Sequence, residues 1–138
     1  QGYTYSGHPV GAAAAIEAME IYVKEKVAEN AASVGQHVLN RLNHEFKPLP
    51  FVGDVSGLGL MIGIEIVADK ATKKPFDPSM NITAKIADRA LKDGLYMRAI
   101  PAAVSAGDRC QICPPLIITI EEVDKVFDIL YRILSTLG

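Results

Sequence analysis

Six apolar residues, Val27, Ala31, Val34, Val38, Leu42 and Phe46, recur at three- and four-residue steps and stop just before the proline-bearing stretch KPLPF. A period near 3.6 excludes a strand and predicts one helix from about Val27 to Phe46, ended because proline has no N–H to continue it. So long a stripe must be covered, and the rest of the chain has to supply the opposing layer. At 138 residues the chain suits one domain, which can bury roughly 70% of its unfolded surface, and leaves no room for a second.

The flanking segments show what that layer is. Upstream, a helix is expected from about Pro9 to Lys26, with Pro9 in the first turn where its missing N–H is not needed. In it Ala12, Ile16, Met19 and Val23 recur at helical steps while Glu17, Glu20 and Lys24 fall elsewhere, which predicts one buried face. Downstream, VGDVSGLGLMIGIEIVAD is a glycine-punctuated apolar run in which Leu60 to Val67 reads as a strand. Gly57, Gly59 and Gly63 are spaced one residue too far for a dinucleotide fingerprint, and a strand follows where that motif needs a helix. These glycines instead suit positive φ in a turn and close backbone packing.

KATKKPFDPSM is a polar loop with solvated lysines, followed by a helix from about Met80 to Asp93 that Gly94 closes. LYMRAI reads as a short strand ending near Arg98, and a last strand spans about Arg109 to Cys113. Thr119 and Glu122 form a capping box for a final amphipathic helix to about Leu137. The order predicts an α+β two-layer sandwich, a small sheet of three or four strands covered on one face by helices.

Composition excludes several classes of function. With 49% apolar residues and a net charge of -2, neither disorder nor a polyanion-binding surface is expected, so nucleic acid is not a partner. The first apolar stretch is broken by Glu17, Glu20, Lys24 and Glu25 and has no basic leader, which argues against a signal peptide or membrane span and for a soluble, cytoplasmic protein. Cys110 and Cys113 form C-x-x-C, but in an extended segment positions three apart face opposite ways, so the pair reads as two buried thiols and not as a redox or metal site. His37 and His44 lie off the helical stripe and read as solvated or rim residues. No metal ligand set is expected.

Two places can hold a ligand. In GYTYSGHP the hydroxyls of Thr4, Tyr5 and Ser6, flexible glycines and the start of a helix dipole would suit a phosphate, or simply cap the helix. Arg98, at a strand end beside a loop of small residues, could grip a carboxylate with two hydrogen bonds or form an ordinary surface ion pair. Ser6 and His8 belong to the helix cap and no nucleophile has a base beside it, so no catalytic residue is assigned.

GYTYSGHPVGAAAAIEAMEI, VGDVSGLGLMIGIEIVADKATKKPF, ADRALKDGLYMRAI and CPPLIITIEEVD, in that order, resemble the C-terminal region of class III pyridoxal-phosphate aminotransferases, and the resemblance covers essentially the whole chain. The T-Y-S-G-H-P and P-P-L-I-I-T motifs carry most of its specificity, whereas Ser56 stands where many relatives have arginine. The resemblance implies fold type I, with residues 1–138 as the small C-terminal domain packed on a larger upstream domain, in a homodimer. It implies that Thr4 reaches across the dimer interface to the phosphate of pyridoxal 5'-phosphate in the neighbouring subunit, with Tyr3 beside it. Arg98 matches the arginine that, in the omega-aminotransferase branch, swings in to bind a substrate carboxylate and out to admit an uncharged amine.

The resemblance also implies a lysine that holds the cofactor and shuttles a proton, upstream of T-Y-S-G and outside this chain. None of the nine lysines present sits in a desolvated setting. The expectation is therefore part of an aminotransferase that moves an amino group between an amine or amino acid and a keto acid or aldehyde, inactive as this segment alone. Within the family an aminomutase or acetylornithine-type enzyme is the alternative; outside it, a stand-alone α+β regulatory or interaction module. A domain separated from its large partner exposes apolar surface, so association or poor solubility is expected.

Overall fold

The computed structural model describes residues 2–102, 104 and 107–137. Its elements run α1 (Pro9–Lys24), α2 (Val27–Arg41) continuing into a π-helical turn (Leu42–Phe46), β1 (Val52–Leu58), β2 (Met61–Ile66), a 3-10 turn (Pro78–Met80), α3 (Ile82–Lys92), β3 (Arg98–Ile100), β4 (Asp108–Ile112) and α4 (Ile120–Ser135). The four strands form one antiparallel sheet in the order β1-β2-β4-β3. One sheet face carries Ile62, Ile64, Ile66, Cys110 and Ile112, all buried, against α2, α3 and α4. The other is open and mostly polar. This is the expected α+β two-layer sandwich.

The stripe on α2 explains the π turn. Val38, Leu42 and Phe46 follow at steps of four, and each such step overshoots a full α-helical turn by about 40°. A widened turn, marked by the Lys47 N–H donating to the Leu42 carbonyl at 2.8 Å, brings Phe46 back to the buried side. There its ring meets Phe127 edge-on at 5.7 Å and Tyr131 at 5.5 Å.

Glycine sets how closely the sheet approaches the helix. The turn between β1 and β2 puts Gly59 at φ 54 and lays its backbone on α2, where a Cβ added to Gly35 would stand 2.3 Å from the Gly59 carbonyl oxygen. Only hydrogen at Gly35 permits that approach.

Two further ties join the layers. Asn30 Nδ2 donates to the carbonyls of Leu116 and Ile118 at 2.8 and 3.1 Å, fixing the start of α2 to the segment before α4. Arg41, only 16% exposed, binds Glu45 at 2.9 Å, Asp124 at 2.8 Å and Asp128 at 2.8 Å, while His37 Nε2 lies 2.7 Å from Asp124. The capping box at α4 is present in both directions, with the Glu122 N–H on Thr119 at 3.2 Å and the Thr119 N–H on Glu122 at 3.0 Å.

Several expectations are corrected. No residue of α1 is buried: Ile16, Met19 and Val23 are 55, 59 and 80% exposed, because none of the described residues covers their face. The helix ends at Lys24, and Lys26 takes a left-handed conformation at φ 52 before α2. Strand β1 has no counterpart in the sequence reading. A bulge at Gly53 lets both Val52 and Val55 face the core, which breaks the alternation that marks a strand. Arg98 begins its strand instead of ending it. Helix α3 starts two residues later than expected, after the Pro78–Met80 turn, and Gly94 at φ 88 follows it as foreseen. Cys110 is buried but Cys113 is exposed, since β4 stops at Ile112. His37 sits at the rim, bonded to Asp124, whereas two lysines of the polar loop are not simply solvated: Lys70 donates to the Leu49 carbonyl and Lys73 to the Gly53 carbonyl of β1.

Two measurements test these forces. Gly35→Ala forces helix and turn apart and is expected to cost about 3 kcal/mol in urea denaturation, whereas Gly11→Ala, with nothing within 4 Å of its added Cβ, should be neutral or stabilise. The bond from His37, followed by those from Arg41, holds the Asp124 carboxyl below its ordinary range. A depressed carboxyl stabilises the fold above its unfolded pKa and loses that contribution as pH falls through the folded value. Asp124→Asn should therefore cost about 1 kcal/mol at pH 7, and the difference between the two proteins should begin to close only below about pH 4, vanishing once pH is under the depressed folded value.

Candidate functional site

The opening turn is built by short-range bonds. The Ser6 N–H donates to the Tyr3 carbonyl at 2.9 Å, and the Tyr3 N–H donates to Ser6 Oγ at 3.0 Å, so the Ser6 hydroxyl is already used as an acceptor. Gly7, at φ 75, reverses the chain, and His8 caps α1, its Nδ1 accepting from the Gly11 N–H at 3.5 Å. Tyr3 and Thr4 remain exposed on the outer side of this turn, ahead of a helix whose dipole presents its positive end to them. Of the three hydroxyls considered in the sequence, Thr4 is thus better disposed than Ser6 to meet an anion.

Arg98 lies elsewhere in the domain. As the first residue of β3 it pairs with Gln111 of β4, on the open face of the sheet. A groove of about 540 Å³ borders it, with Tyr96, Met97, Gln111, Cys113 and Pro115 among its walls. On the far side of Gln111 a smaller depression of about 210 Å³ is lined by Met61, Gly63, Arg109 and Cys113. The strand alternation of β4 turns Asp108, Cys110 and Ile112 inward and Arg109 and Gln111 outward. Arg109 and Gln111 were not singled out in the sequence; the alternation of DRCQI was a signal for them, but their pairing with Arg98 was not.

The structure does not bring Tyr3 and Thr4 into contact with Arg98. The first pair stands at the mouth of α1, whose main contact is with α2, and Arg98 stands at the edge of the sheet. None of the nine lysines is buried, and half-buried Lys70 is engaged by the Leu49 carbonyl at 3.1 Å. Among the described residues no group of three or more His, Cys, Asp or Glu could hold a metal ion, and no helix is long and apolar enough to cross a membrane. Burial pushes the Cys110 thiol up to about 12, so it stays protonated and inert.

The domain thus presents exposed apolar residues on α1, an exposed Thr4 in the turn before it, and Arg98 on the open sheet face. Comparison with known proteins gives the family. The model of the aminotransferase class-III family matches residues 1–134, and the chain belongs to that family. It is 46% identical over 125 residues to an uncharacterized aminotransferase of Sinorhizobium fredii, covering 91% of this chain and 26% of the relative. It is 38% identical over 125 residues to a diaminobutyrate–2-oxoglutarate transaminase of Halomonas elongata, again covering 91% of this chain and 26% of the relative. Among solved structures, an (S)-enantioselective omega-transaminase from Thermomicrobium roseum superposes with a TM-score of 0.88 at 35% identity, over 99% of this chain and 29% of that one. A transaminase obtained by ancestral reconstruction gives 0.90 at 39% identity, over 99 and 29% of the two chains. The chain thus spans about a quarter of the length of the curated relatives it matches.

The two cysteines provide a direct check on the site's surface. A thiol reagent should modify Cys113 within minutes in the folded protein and reach Cys110 only on unfolding, and Cys113→Ser should abolish the fast phase.

Proposed function

We propose that this chain is the small C-terminal domain of a pyridoxal-phosphate-dependent aminotransferase that works as a homodimer. In this reading the enzyme moves an amino group between an amine or amino acid and a keto acid or aldehyde. The observation that carries it is the match of residues 1–134 to the family, joined to a fold that exposes the motif residues Thr4 and Arg98 and the apolar side of α1. Ile16, Met19, Tyr22 and Val23 suit a second polypeptide surface far better than water, which fits a domain that packs on a large domain and on a second subunit.

Bound pyridoxal phosphate supplies an electron sink for the negative charge left when the substrate carbon loses its proton. The residues present fit one end of that cofactor: the Thr4 hydroxyl would donate to a phosphate oxygen, the neighbouring helix dipole would favour the phosphate charge, and Tyr3 would flank it. The phosphate so held would belong to the neighbouring subunit. Arg98 binds the carboxylate of an amino or keto acid with two parallel hydrogen bonds and so orients the reacting carbon. The catalytic lysine lies outside these residues, and the segment alone is inactive.

The test uses the full-length protein. Thr4→Ala should weaken pyridoxal phosphate binding about tenfold, read from the cofactor's absorbance on dilution. Arg98→Ala should impair turnover of carboxylated partners far more than of uncharged amines. Equal losses for both would remove the assigned role of Arg98, and a full-length protein that neither binds the cofactor nor transaminates would overturn the reading as a whole.

A further inference from the structure

Arg98 does not stand alone on the open face. Its cross-strand partner is Gln111, and two residues before Gln111 on the same strand, on the same face, is Arg109. Arg98 and Arg109 are therefore diagonal neighbours on either side of one amide, a separation of roughly 7–8 Å at the backbone that long side chains readily span. Neither guanidinium, nor the Gln111 amide, has a hydrogen bond or ion pair among the described residues.

The carboxylates nearby are already matched. Glu65 lies opposite Arg109 across β2 and Asp54 lies opposite Glu65, but Lys73 takes Glu65 at 3.4 Å and Lys47 stands 3.8 Å from Asp54. Two arginines facing the same way with their acidic neighbours paired to lysines leave a local excess of positive charge. Like charges so close destabilise the face unless an anion comes between them. Gly63, in the same row as Gln111, contributes no side chain and lines the depression beside Arg109.

We infer that Arg109 is a second carboxylate-binding residue and that the pair Arg98 and Arg109 selects a dicarboxylic oxo acid as amino acceptor. This rests on the aminotransferase reading above. One carboxylate is taken by Arg98 and the other by Arg109, each through the paired N–H groups of a guanidinium, while the uncharged Gln111 lies between them beside the ligand's methylene chain. A monocarboxylic oxo acid engages Arg98 alone.

The experiment compares 2-oxoglutarate with pyruvate as acceptor for the full-length enzyme loaded with cofactor, before and after Arg109→Gln. The expected result is that the ratio of kcat/KM for 2-oxoglutarate to that for pyruvate falls about tenfold or more. Inhibition by glutarate should weaken in parallel, and Arg109→Lys should restore part of both. Gln111→Glu, which puts a negative charge between the arginines, should lower the same ratio, and melting temperatures control for folding. An unchanged ratio in folded Arg109→Gln overturns the inference and leaves the aminotransferase reading standing. An unmodified enzyme that transaminates neither acceptor overturns that reading, and the inference with it.

Discussion

The seating of the β1–β2 turn on α2 is the contact on which the remaining architecture depends. Because Gly35 has no side chain, the Gly59 backbone reaches the helix, and the sheet begins from a fixed distance and angle relative to α2. From that point β2 carries Ile62, Ile64 and Ile66 under the helices, and β4 follows antiparallel to it with Cys110 and Ile112 on the same side. Any side chain at Gly35 would lift the turn, and with it the whole apolar layer. The loss would exceed the value of one contact because close-packed interiors transmit such displacements.

The other end of the molecule is held by different physics. Phe46 and Phe127 fill the space between α2 and α4, and the charged cluster of His37, Arg41, Glu45, Asp124 and Asp128 closes over its rim. Each exposed ion pair contributes little, but one guanidinium ordered by three carboxylates loses its side-chain freedom only once. Carboxylates hold the Arg41 guanidinium well above its ordinary range, Glu45 first, so it stays charged at any pH the fold survives. Arg41 itself therefore adds no acid sensitivity to the cluster.

Much of this was readable residue by residue. The stripe on α2, the Thr119 to Glu122 cap and the glycine after α3 are local devices whose signals survive without any partner, and the elements appear within a few residues of expectation. Strand β1 was not readable, because the bulge at Gly53 shifts the phase of Val52 and Val55 and no local rule reports a bulge. The exposed state of α1 was not readable either, since an amphipathic period says that a face wants burial and not whether this chain can provide it. Of the candidate site, Thr4, Tyr3 and Arg98 were visible as motif residues. Arg109 and Gln111 were not, since nothing in the order of the chain places them beside Arg98.

By itself, then, the sequence determined the helices and their caps, the class of the fold and the family, because these rest on periodicity, terminal hydrogen bonds and short motifs, all of them local. Only the tertiary structure decided the strand order β1-β2-β4-β3, which thiol meets water, and which arginine stands next to Arg98. Those outcomes depend on the register between strands far apart in the chain. Register follows from how a complete apolar face and a glycine contact fit together, not from the preference of any one residue.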